Sequence, residues 1–298
     1  MRKLKVLITL FTLLPLMAAA QATVIVETAG SLEEQIRSHE LLSAIELTIK
    51  GELNGTDIRF LRSLLTDGLG ASESKLRSLD LSDVRIVEGG EAYGHFSEKS
   101  NDNTDVSACY THNDELGDYM FYDCASLRSI VLPHSIKSIG VRCFTGDLAL
   151  ASIDIPEGVR RIGFMAFAVC DHLENVVLPS TLLSIDAWAF MDCNSLKQIS
   201  ISATVPPAYG FLSFDYPADC KLLLSEKLSQ EVVEYYKEAD GWKNFGEITQ
   251  KSTSSINDAS LQSDAYSTNM MDFLLTGQKA MASSKGIHIR NNKIFLKR

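Results

Sequence analysis

The feature that most limits what this chain can fold into is a 23-residue period through its middle. Phe121, Phe144, Phe167 and Phe190 are evenly spaced at that interval, as are Leu127, Leu150, Leu173 and Leu196. Ile130, Ile153, Val176 and Ile199 keep the same step, followed by Leu132, Ile155, Leu178 and Ile201. Pro133, Pro156 and Pro179 hold one position of the unit, and Gly117, Gly140 and Gly163 another. A fixed period of this length marks stacked supersecondary units, none of which can bury its apolar face alone.

Within each unit, the Leu-x-x-Ile-x-Leu run reads as a short strand with alternate residues directed inward. The proline that follows cannot donate to a ladder and ends the strand. A second extended piece comes next, as in Ile136–Ile139. The glycine after it is expected to open a tight helical or 3₁₀ segment carrying the phenylalanine. Stacking such units lays their strands side by side in a parallel sheet at about 4.8 Å per copy. The expected fold is therefore α/β, a solenoid with a parallel sheet face. The four phenylalanines and four leucines form its core.

The strings "FYDCASLRSIVLPHSIKSIG", "FAVCDHLENVVLPSTLLSID" and "FMDCNSLKQISIS" resemble the BspA-like class of leucine-rich repeats. The resemblance covers about residues 24 to 249 and is most specific between 117 and 201. It implies a leucine-rich-repeat solenoid with helical caps at both ends, of the kind found on surface and secreted proteins of anaerobic bacteria. Several members of that class act as adhesins. One unit departs from the pattern: Asp147 stands where Cys is usual, and Cys143 replaces the small residue before Phe.

The flanks extend the stack. Thr23–Glu27 reads as a strand, and Ser31-Leu32-Glu33-Glu34 as a capping box opening a helix. Ile45, Leu47 and Ile49 alternate as a strand. Asn54-Gly55 forms a turn, and Thr56 caps a helix bearing Ile58, Leu61, Leu64 and Leu65. Leu76, Leu79 and Leu81 repeat the strand pattern. Cys220–Leu224 reads as the final strand, with "VVEYYKEADGWKNFGEI" as a closing helix.

Residues 1–22 read as a signal peptide, with Arg2, Lys3 and Lys5 before a short apolar stretch and Ala20-Gln21-Ala22 at the cleavage site. The divisions that follow are 23–116, an N-terminal cap with irregular repeats and a polar loop at 88–115, and 117–249, the regular repeats with a C-terminal cap. A linker spans 250–271, and 272–298 forms a short hairpin tail similar to a truncated C-terminal sorting tail. The mature chain is expected to lack a membrane span, since no other apolar run reaches roughly 18 residues. Export to the cell surface or medium is expected, with the periplasm the lesser alternative.

The formal charge is −10, and bases are clustered only at the N-terminus. That excludes nucleic acid as a partner, because phosphate binding needs grouped Lys and Arg. No catalytic residue, metal site or cofactor is expected: there is no Cys-x-x-Cys, and His39-Glu40 lacks the second histidine of a zinc motif. Cys124, Cys170 and Cys193 share one repeat position and read as a buried reduced ladder, with a disulfide or metal role left open.

Two surfaces could bind a partner. The first is the exposed sheet row of Ser129, Ser152, Asn175 and Gln198, with Val131, Asp154, Val177 and Ser200 alongside, on about seven strands. The second is the loop from Glu88 to Glu115, with Tyr93, His95, Phe96, Tyr110 and His112. Calcium ligation there by Asp102, Asp105 and Asp114 has no defensible order. Tyr119, Arg142, Met165 and Trp188 share a further position, with Trp188 a candidate exposed anchor. The expected function is recognition of a protein or other extracellular macromolecule in cell-surface adhesion; the alternative is a structural module of the cell envelope.

Overall fold

The computed structural model describes residues 21–66, 75–97, 106–250, 287–290 and 293–296. The chain divides into two compact units, Met1–Gln250 and Lys251–Arg298.

The first unit opens with β1 (Gln21–Val26), α1 (Leu32–Ser38), β2 (Glu46–Leu53) and α2 (Gly55–Leu65). β1 thus starts two residues inside the segment assigned to the signal peptide. Strands β3 (Ser78–Asp80) and β4 (Val84–Ile86) follow, then β5 (Gly94–Ser97) and β6 (Val106–Cys109). Long and short strands then alternate: β7 (Glu115–Leu116), β8 (Ser129–Val131), β9 (Ser138–Ile139), β10 (Ser152–Asp154), β11 (Arg161–Ile162) and β12 (Asn175–Leu178). The alternation continues through β13 (Ser184–Ile185), β14 (Gln198–Ile201), β15 (Ala208–Tyr209) and β16 (Lys221–Leu224), before α3 (Gln230–Glu238) and β17 (Glu247–Gln250).

The long strands form two successive parallel sheets. One runs β1-β2-β3-β8 with β4 also beside β2, and the other runs β10-β12-β14-β16-β17. Ala151 N–H donates to the Arg128 carbonyl at 3.4 Å where the two meet. The short strands make a third parallel sheet, β7-β9-β11-β13-β15. Register equals repeat: Ser152 pairs with Asn175, Asn175 with Gln198, and Gln198 with Lys221.

The segment after each short strand is not helical, contrary to expectation. It is a pair of turns containing two left-handed residues: Tyr119 and Asp123, Arg142 and Gly146, Met165 and Val169, Trp188 and Asp192. Left-handed backbone interrupts the i→i−4 pattern a helix needs. The N–H groups so freed bond to the next copy instead. Tyr119, Phe121 and Asp123 donate to the carbonyls of Val141, Cys143 and Thr145 at 2.8, 2.8 and 2.9 Å. One unit on, Arg142, Phe144 and Gly146 donate to Phe164, Ala166 and Ala168 at 2.9, 2.7 and 3.0 Å. This side of the stack is therefore a third hydrogen-bonded ladder, which settles buried backbone groups that would otherwise be costly.

Inside these ladders runs the aromatic spine. Phe121, Phe144, Phe167 and Phe190 are buried and stack in sequence with ring centroids 5.3, 5.0 and 5.0 Å apart. Phe214, 24 residues beyond Phe190, continues the stack at 4.7 Å. The same one-residue insertion is seen in the pairing of Ser184 with Ala208. Leu127, Leu150 and Leu173 are fully buried, but Leu196 is only half-buried. It borders a small cavity whose lining also includes Phe214, Pro217, Asp219 and Cys220.

Several local expectations are corrected. Ser31 precedes α1 but makes no capping bond to it. The buried carboxylate of Asp57 serves instead, accepting from Leu32 N–H at 3.0 Å and Gly30 N–H at 2.5 Å. Asn54, not Thr56, caps α2: its Oδ1 accepts from Thr56 N–H at 3.0 Å, and Asp57 reciprocates on Asn54 N–H at 3.0 Å. Cys220–Leu224 is followed by one further strand, β17, which pairs in parallel with β16. The predicted closing helix stops at Glu238. Beyond it, Trp242 is buried with its indole N–H donating to the Pro207 carbonyl at 2.8 Å, while the Tyr236 hydroxyl donates to Ala203 at 2.9 Å.

In the second unit, β18 (Ile287–Arg290) pairs antiparallel with β19 (Lys293–Leu296). The turn expected at Asn291-Asn292 and most of the linker lie outside the described residues, as do residues 1–20 of the signal peptide.

Candidate binding surfaces

The sheet row selected from the sequence faces outward. Ser129, Val131, Ser152, Asp154, Asn175 and Val177 are exposed, while Gln198 and Ser200 are half-buried. Val131 and Val177 keep 49% and 41% of their surface in contact with solvent, a cost that burial by a partner would relieve. Alternation in the pleat sets this arrangement, since Ile130, Ile153 and Val176 between them point into the core. The nine main strands make the face about 40 Å long at the usual strand spacing. Side chains along it are short. Burial, assisted by Glu157, raises the Asp154 carboxyl above its ordinary range. Ion pairs cross between copies on either side, Lys197 to Glu174 at 2.6 Å and Lys221 to Glu247 at 2.9 Å.

The segment from Glu88 to Glu115 is not a plain loop. β5 and β6 form an antiparallel hairpin that lies against the left-handed turns. Phe96 stacks on Tyr119 at 4.6 Å with the rings 7° apart, and Tyr122 meets it edge-on at 5.7 Å. The Arg62 guanidinium lies 5.0 Å from the Phe96 ring centroid and donates to the carbonyls of Tyr119 and Met120 at 2.9 and 3.1 Å. Tyr93 is buried, its hydroxyl donating to the Asp118 carbonyl at 2.6 Å, and burial raises its pKa strongly. Asp102 and Asp105 lie outside the described residues, and Asp114 pairs with Arg85 at 3.3 Å. Among the described residues, no group of His, Cys, Asp or Glu is arranged to hold a metal ion.

Between this hairpin and the third sheet is a cavity of about 360 Å3. Its lining includes Tyr110, His112, Glu115, Ser138 and Arg161. Sequence reasoning placed Tyr110 and His112 near a possible ligand. It missed Ser138 and Arg161, which share with Glu115, the end of that loop, a position of the short strands too brief to show alternation.

The row Tyr119, Arg142, Met165, Trp188 occupies one left-handed position, and its two ends differ. Tyr119 is covered by Phe96, whereas Trp188 is half-buried, and its ring contacts among the described residues are Phe164 at 5.4 Å and Phe211 at 6.3 Å. Phe211 itself is 69% exposed and was not anticipated.

The cysteines are free. Cys170 and Cys193 donate to the carbonyls of Phe144 and Phe167, at 3.2 and 3.1 Å. Cys193 and burial together raise the Cys170 thiol. Asp147 fills the equivalent place one copy earlier. It is buried, accepts from Cys124 N–H through Oδ1 at 2.8 Å, and leaves Oδ2 without a partner. Desolvation pushes its carboxyl well above the ordinary value.

Parallel strands stacked in register over a shared apolar spine define a leucine-rich-repeat solenoid. Residues 109–210 match the family model of the BspA type leucine rich repeat region, in six copies. Among solved structures, a leucine rich cell surface protein of Faecalibacterium prausnitzii is 36% identical over 28% of this chain and 22% of its own, with a TM-score of 0.28. The pneumococcal vaccine antigen PcpA is 14% identical, covering 70% of this chain and 58% of its own, with a TM-score of 0.36. The leucine rich repeat protein of T. pallidum is 17% identical over 68% of this chain and 86% of its own, at 0.34. The chain thus spans less than two thirds of the first two. A search of curated proteins found no match. Among the described residues, no helix is long and apolar enough to cross a membrane.

Proposed function

We propose that this chain is an exported, non-catalytic recognition protein of the cell surface, which engages a protein or other extracellular macromolecule through the outward rows of its repeats. The observation that carries this reading is the face of β8, β10, β12 and β14. Small polar side chains surround the half-exposed Val131 and Val177, so a partner can approach closely and desolvate apolar surface while ordering few long side chains. The row extends over successive strands, which suits an extended epitope more than a small substrate. Trp188 and Phe211 offer aromatic anchors on the flank, the residue class enriched at binding hot spots.

The test has two parts. Protease accessibility on intact cells decides whether the protein is displayed. Purified protein is then assayed on immobilised matrix glycoproteins, with Val131→Glu/Val177→Glu as the disabled variant. Display together with binding lost in the variant, at unchanged melting temperature, supports the reading. A protein found wholly inside the envelope defeats it in favour of a structural module there.

A further inference from the structure

We infer that the cavity between the β5–β6 hairpin and the third sheet binds a neutral sugar ring. Its volume of about 360 Å3 falls within the range of small-molecule sites, about 300–1,000 Å3. The floor is a row of three register partners on adjacent strands, Glu115 beside Ser138 beside Arg161. Strand spacing sets their backbones about 4.8 Å apart. The row therefore presents a carboxylate acceptor, a hydroxyl that both donates and accepts, and a guanidinium donor in line.

Charge narrows the ligand class. Arg161 is already neutralised by Asp186, to which its Nε donates at 3.1 Å and its Nη2 more closely. The Glu115 carboxylate is half-buried and has no hydrogen-bond or ion-pair partner among the described residues. An anion would meet a spent cation and an unpaired acid, so anionic ligands are disfavoured. A purely apolar ligand would strip water from these groups without replacing their hydrogen bonds, which is costly for each group left orphaned. A hydroxyl-rich molecule avoids both penalties.

The remaining wall supplies an apolar plate. Phe96 is engaged by Tyr119 and Arg62, but Tyr110 is 52% exposed, lines the cavity and has no ring partner among the described residues. A pyranose has one face of C–H groups to lay on such a ring and equatorial hydroxyls to direct at carboxylate, hydroxyl and guanidinium. This site is separate from the protein-binding face of the main sheet, and neither requires the other.

Saturation-transfer NMR on the purified full chain tests it. The probes are the methyl glycosides of glucose, galactose, mannose and N-acetylglucosamine, with acetate and glycylglycine as charged controls. The expected result is transfer to at least one glycoside, concentrated on the C–H protons of one ring face, and none to the charged controls. Tyr110→Ala and Glu115→Ala each weaken binding by about tenfold or more, while Tyr110→Phe, which keeps the ring, retains it. Since Tyr110 is exposed, its variants should fold, and thermal melting checks this. Absence of transfer to every glycoside overturns the inference. So does transfer unchanged in both alanine variants, or transfer to the charged controls in place of the sugars. Val131→Glu/Val177→Glu leaves the sugar signal intact, so failure of the protein-binding reading is read separately.

Discussion

The rings of Phe144 and Phe167 lie 5.0 Å apart and within 3° of parallel, although 23 residues separate them in the chain. Each ring is buried, and each is held by a backbone bond to the copy that follows, Phe144 to Ala166 and Phe167 to Ala189, both at 2.7 Å. Truncating one ring removes contacts to both neighbours. Phe144→Ala is expected to cost about 3–5 kcal/mol, the range for a large-to-small change in a core. Chemical denaturation measures it, and a loss below about 1 kcal/mol would mean the spine does not hold the repeats together.

Asp147 should make stability depend on pH. Its folded pKa is raised by desolvation, whereas the unfolded chain titrates near 3.8. Stability is thus full below the unfolded value and declines as pH rises above it toward the folded value, because the unfolded state loses its proton first. Asp147→Asn keeps the acceptor for Cys124 N–H and removes the titration. The difference in unfolding free energy between the two proteins should therefore shift in favour of the variant as pH climbs from about 3.8. A difference constant with pH would place the carboxyl in water.

Val169 is a β-branched residue at φ 60°, while the equivalent positions hold Asp123, Gly146 and Asp192. Left-handed backbone costs an ordinary residue about 1–2 kcal/mol, and glycine's added freedom returns about 0.5–1. Val169→Gly is expected to raise stability by about 0.5–1 kcal/mol on this balance. A thermal shift downward would show that packing of the half-buried valine outweighs the strain.

Arg62 ties α2 to the hairpin. It donates to two turn carbonyls and lies against the Phe96 ring. Arg62→Ala should destabilise by about 1.5–3 kcal/mol, the usual worth of charge-assisted hydrogen bonds. It should also open the β5 and β6 strands, residues 94–97 and 106–109, to limited proteolysis, while the main sheet stays protected. Uniform cleavage of both would argue against a local role.

The spine could be read in the sequence because a buried row admits few residue types, so Phe and Leu recur in the four copies from Phe121 to Leu196. Turns at the left-handed positions could not, since Tyr119, Arg142, Met165 and Trp188 are not residues that advertise positive φ. The reason they adopt it is the ladder to the next copy, a long-range cause. β17 escaped notice because Glu-Ile-Thr-Gln is short and lies well beyond β16 in the chain. The candidate row on β8 to β14 was legible from alternation alone. The cavity was not, because its floor comes from two-residue strands and its roof from two four-residue strands, Gly94–Ser97 and Val106–Cys109, too short to show a period.

The most direct test of the stacked spine is nuclear Overhauser contact between phenylalanine ring protons in solution. Selective ring labelling should give contacts from Phe121 to Phe144, Phe144 to Phe167 and Phe167 to Phe190, and none from Phe121 to Phe167. Missing neighbour contacts, or contacts that skip a copy, would contradict a molecule built by stacking 23-residue units in register.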